Sequence, residues 1–146
     1  MSDSESKAPE GEEQGESWLH RLSAEEWLAA ARGELTRAEQ ALLGKQQRSG
    51  VAQSRRAAGM AWNAALQQIL DANERARYGR SYMDHLKVLA DDTAVPTAVR
   101  DAARSLISAP LEQTLVQLGA GDTRLARAAE IILDEAARRV RGEGRS

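Results

Sequence analysis

An all-α fold, an antiparallel helical bundle of about five or six helices led by two long N-terminal ones, is what this sequence predicts, and three observations carry it. The apolar residues are mostly Ala and Leu, with no Phe and five aromatics in 146 residues, a set that favours closely packed helices over sheets needing β-branched and aromatic side chains. Apolar positions recur at three- and four-residue spacing through several stretches. Helix-cap signals punctuate those stretches. A hydrophobic fraction of 42% fills one core at this length and not two.

Residues 1–16 are rich in Ser, Glu and Gly without apolar periodicity and carry six acids against Lys7, which predicts a disordered acidic tail. The bundle is expected over 17–141, with 142–146 a flexible C-terminus. Trp18, Leu19 and Leu22 suit a short lead-in helix or a folded-back segment. The first long helix starts at the capping box Ser23-Ala24-Glu25-Glu26, with Leu22 and Trp27 at hydrophobic-staple positions. Trp27, Leu28, Ala31, Leu35, Ala38 and Leu42 then form its stripe, which ends near Gly44. The second is expected from about Val51 to Arg75, on Ala58, Ala61, Trp62, Ala65, Leu66 and Ile69. A loop at 76–79 leads to a short helix from Tyr82 to about Ala90, bearing Leu86 and Leu89. Another starts near Pro96 and carries Val99, Ala102, Ala103, Leu106 and Ile107. Pro110 interrupts it, Leu111, Leu115, Val116 and Leu118 suggest a further helical piece, and Asp122 or Thr123 caps a last helix bearing Leu125, Ala128, Ala129, Ile132 and Ala136.

Several function classes drop out on composition. Cysteine is absent, so disulfides, zinc ribbons and thiol catalysis are excluded. No apolar run reaches the roughly 18 residues of a membrane span, and the N-terminus is acidic where a signal peptide is basic and then apolar. A cytoplasmic protein without membrane contact is expected. Beyond the tail, 19 basic and 16 acidic residues leave the body at +3, far below a nucleic-acid-coating domain. Gly119-Ala120-Gly121 lacks the strand, the third glycine and the Gly-Lys-Ser/Thr of a phosphate loop, and is read as a turn between helices. Adjacent acids such as Glu25-Glu26 and Asp91-Asp92 diverge by about 100° on a helix and share no metal. Without Glu-x-x-His, a di-iron site fails as well. No metal and no cofactor are expected. His20 is read as a surface histidine, and Trp27 and Trp62 as packing residues.

What remains is Tyr78-Gly79-Arg80-Ser81-Tyr82-Met83-Asp84-His85. Ser81 through Asp84 has a capping pattern, which puts Arg80 at N′ and His85 at N4, two positions that meet at a helix start. Free N–H groups and the helix dipole favour an anion there. Arg80 would hold a phosphate while His85 moves a proton, with Arg77 and Ser81 as further substrate contacts and Arg75 on the basic rim. The opposing expectation is that Asp84, Arg80 and His85 only organise a helix start, in a catalytically inert interaction module.

The helix order together with Arg56-Ala57-Ala58-Gly59-Met60-Ala61-Trp62-Asn63-Ala64-Ala65-Leu66 and the Gly79–Leu89 segment resembles the HEPN superfamily of helical domains, over roughly Ser23 to Val140. That resemblance implies a bundle that dimerises and binds a nucleotide or RNA. It further implies a metal-independent endoribonuclease or toxin-antitoxin component with Arg80 and His85 catalytic, and a nucleotidyltransferase as partner. The segment departs from the nuclease pattern in having Ser81 after the Arg and in following directly on the second helix. HEPN domains without nuclease activity bind nucleotides or nucleotidyltransferases.

Overall fold

The structure is a computed structural model that describes residues 18–109 and 121–142. These residues form a 3-10 turn (Leu19–Arg21) and six α-helices: α1 (Ala24–Leu43), α2 (Gln47–Leu66), α3 (Ala72–Arg77), α4 (Tyr82–Leu89), α5 (Thr97–Ile107) and α6 (Arg124–Arg141). Among the described residues there is no strand. The protein is all-α, as its composition and periodicity predict.

The capping box at Ser23 forms in full: the Glu26 N–H donates to Ser23 Oγ at 3.1 Å, and the Ser23 N–H donates to Glu26 Oε1 at 2.8 Å. A short turn at Gly44–Gln46 then folds α2 back along α1. The interior lies around α2, where every residue from Ala57 to Leu66 except Met60 is buried. Small side chains allow this, because Ala and Gly let neighbouring backbones approach on several sides at once. α1 lies along one flank and α6 another, while α4 and α5 close the remainder. Leu28, Ala31, Ala38 and Leu42 point inward from α1, and Trp27 and Leu35 are half-buried. Leu125, Ala128, Ala129, Ile132 and Ala136 do the same from α6.

α4 has eight residues, too few to persist alone in water. It is held by Leu86 and Leu89, both 0% exposed, each contributing roughly 1.5–3 kcal/mol by burial. It also docks where α2 has Gly59: a Cβ there would lie 2.4 Å from Cβ, Cγ and Cδ1 of Tyr82. α5 starts after Pro96, which occupies the N-cap, and its C-terminal end is closed from a distance by Arg55, which donates to the carbonyls of Leu106 at 2.8 Å and Ala109 at 2.6 Å.

One expected element is divided. The stretch expected as a single helix over 51–75 starts earlier, at Gln47, and ends at Leu66. After a break, α3 begins at Asp71, whose carboxylate accepts from the N–H groups of Asn73 and Glu74. Asp71 followed by Glu74 is itself a start signal, and here it outweighs the apolar spacing that carries through Ile69. The tail at 1–16, the helical piece around Leu111–Leu118 with its break at Pro110, and residues 143–146 lie outside the described residues. Gly121, at the end of the expected turn, has a left-handed φ of 86°. No helix among the described residues is long and apolar enough to cross a membrane.

Candidate functional site

The segment singled out by sequence folds as a tight loop entering α4. Gly79 supplies a left-handed φ of 71°, and a Cβ there would lie 2.7 Å from the Asp84 side chain, so glycine is required twice over. Ser81 is the N-cap, its Oγ accepting from the Asp84 N–H at 3.0 Å. That hydroxyl is thereby committed to the helix start, the role its capping pattern assigns.

His85 is 0% exposed. Its Nδ1 lies 2.9 Å from the Tyr78 carbonyl oxygen and its Nε2 lies 2.8 Å from Asn63 Oδ1 on α2. Burial holds its pKa below the ordinary histidine value, and the Tyr78 carbonyl and the Asp84 charge only partly restore it. The ring is therefore neutral near pH 7. Each ring nitrogen faces an oxygen of the fold, and the single N–H of a neutral ring donates to one of the two. Both nitrogens are occupied by the fold.

Arg80 is on the surface. Its guanidinium carbon lies 6.0 Å from the centre of the Trp18 ring, and among the described residues it makes no hydrogen bond or ion pair. Trp18 also lies against His85, ring centres 6.2 Å apart and planes inclined at 25°. The two residues of the expected pair thus meet at one indole, with His85 in the interior and Arg80 outside. Asp84 occupies the start of α4, so a second negative charge there meets repulsion.

Arg77 is engaged elsewhere. It donates to Glu74 at 2.6 Å, contacts Asp92 at 3.4 Å and lies over the Tyr78 ring at 5.3 Å. The Tyr78 hydroxyl donates to Asp92 in a short hydrogen bond. Burial and then the Asp92 carboxylate push the Tyr78 phenol well above its ordinary range. Burial alone would raise the Asp92 carboxyl, but the Tyr78 hydroxyl, the Ala94 N–H and Arg77 hold it low. This cluster ties the loop before α4 to the loop before α5. Arg75 donates to the carbonyls of Ile69 and Leu70 at 2.5 and 3.3 Å.

Sequence reasoning did not assign Asn63 or Trp18 to this site. The signal for Asn63 was present: it is the one amide within a run of buried small and aromatic residues, and a buried amide needs a polar partner. A buried carboxylate, Glu34 on α1, accepts from Arg37 at 2.8 Å and from Arg56 at 2.5 Å, joining α1 to α2. Among the described residues no three His, Asp or Glu side chains cluster in a way that would hold a metal ion.

No protein-family model, curated protein or solved structure matches this chain.

Proposed function

We propose that this chain is a helical binding module that does not cleave phosphodiesters at Arg80 and His85. The observation that carries this reading is the burial of His85 with both ring nitrogens engaged. A general base must come within about 2.6–3.2 Å of the proton it takes, and a ribose hydroxyl does not reach a ring in the core. The HEPN resemblance supports the same reading through its members without nuclease activity. The partners it assigns are a nucleotide or RNA phosphate, a nucleotidyltransferase, and a second copy of the chain.

The test is incubation of the full chain with RNA in the presence of a chelator. No cleavage above a protein-free blank is expected. Cleavage that Arg80→Ala abolishes while leaving the fold intact would overturn the reading and restore the nuclease role.

A further inference from the structure

Trp18 touches both ends of the Arg80–His85 segment and is only half-buried itself. It belongs to a short stretch held from outside by two side chains. The Leu19 carbonyl accepts from Trp27 Nε1 at 2.9 Å and from Gln67 Nε2 at 2.7 Å, and the Leu22 carbonyl accepts from Gln67 Nε2 at 2.9 Å. Leu19 is the one fully buried residue of the turn. The capping box at Ser23 starts α1 from its own groups, so this stretch can detach without unwinding the helix that follows.

The surroundings of His85 are shared among several elements. α2 contributes Asn63, the loop contributes the Tyr78 carbonyl, and α4 contributes Asp84 and Tyr82, whose ring meets it edge-on at 6.4 Å. Trp18 supplies the remaining aromatic contact, and it is the one that does not come from the body of the bundle. Among the described residues Arg80 has no partner besides the Trp18 ring.

We propose that Trp18–Leu22 is a strap that lifts, and that the position of the Trp18 ring is a slot for a planar aromatic group, occupied in the closed state by the chain's own indole. His85 and Arg80 border the same ring, so its departure leaves an imidazole and an unpaired guanidinium beside one vacancy. A nucleotide fits this pairing, with its base in place of the indole and its phosphate on Arg80. Asp84 makes Arg80, and not the end of α4, the anion contact. The ligand class deepens the binding-module reading and rests on it, whereas the strap stands on the contacts of Trp18.

The experiment uses the full chain and its Trp18→Ala variant, with the imidazole signals followed by NMR across pH, the carbethoxylation rate of His85, and indole and adenosine monophosphate as probes. In Trp18→Ala the His85 titration should move up toward the ordinary histidine value of about 6.5 and the ring should react faster. Added indole should reverse both changes. Adenosine monophosphate should bind the variant about tenfold or more tighter than the parent, since a strap open at most about 10% of the time weakens binding by the inverse of that fraction. Unchanged titration and reactivity in a folded Trp18→Ala would overturn the strap, and exposure of His85 without any response to either probe would overturn the slot. Gln67→Leu, which removes two of the three anchors and keeps the indole, should show the same uncovering to a smaller degree. Global unfolding of both variants would also overturn the proposal, because the stretch would then be integral to the core. RNA cleavage by the parent refutes the binding-module reading and leaves the strap standing, so the two failures are distinguishable.

Discussion

Adding one methyl group at Gly59 should loosen α4 from the bundle, whereas the same change at Gly33 should stabilise it. Both glycines are helical, so each Gly→Ala gains roughly 0.8–1 kcal/mol of helix propensity. At Gly33 the new methyl meets nothing nearer than the Arg37 guanidinium at 3.9 Å, and that gain should appear in full. At Gly59 it lies 2.4 Å from Cβ, Cγ and Cδ1 of Tyr82. Because Cβ is fixed to the α4 backbone, rotating the ring does not relieve the clash, and α4 must move with Leu86 and Leu89. Overpacking of this kind costs about 1–3 kcal/mol, and the backbone involvement places Gly59→Ala at the upper end. The net expectation is destabilisation by about 1–2 kcal/mol at Gly59 and stabilisation by about 1 kcal/mol at Gly33. Urea unfolding followed by circular dichroism reads both as shifts in midpoint at constant slope. If Gly59→Ala matches or exceeds the parent in stability, the docking of α4 on α2 described above is wrong.

Trp62→Ala should destabilise by about 3–5 kcal/mol in the same assay, since the ring is 1% exposed and packs against Tyr78 and Arg139; a loss under about 1 kcal/mol would place the ring at the surface. Asp71→Ala should cost about 1 kcal/mol by removing the N-cap of α3, with the loss of protection in amide exchange confined to residues 71–78. Acidification should weaken the fold from about pH 6.5 downward: the unfolded chain takes up a proton at His85 near that value, while the folded pKa is lower, so the unfolded state binds more protons throughout the window between them. His85→Gln should flatten that part of the stability profile, and an unchanged profile would mean that the ring is not buried in solution. Arg80→Ala should change stability by no more than about 1 kcal/mol, the scale of an exposed cation–π contact, measured as a thermal midpoint.

The features legible in the sequence are those set within one turn of helix. Ser23 with Glu26, Ser81 with Asp84, and the apolar spacings of α1, α5 and α6 all follow from contacts three or four residues apart, which every amphipathic helix must make. Asp71 belongs to the same class, and its cap was open to reading but obscured by an apolar spacing that ran past it. Position in space is another matter. Ser81 and His85 take the N-cap and N4 places that their spacing dictates, but whether a residue at N4 faces a substrate or the interior depends on what packs over the helix. Here that is decided by Asn63, 22 residues earlier, by Gly59, which lets α4 sit close enough for the ring to reach that amide, and by Trp18, brought across the bundle by Gln67. Helix periodicity fixes which side of α4 is apolar, and only the crossing of α4 over α2 determines that His85 lies on the buried side of the site while Arg80 stays in water.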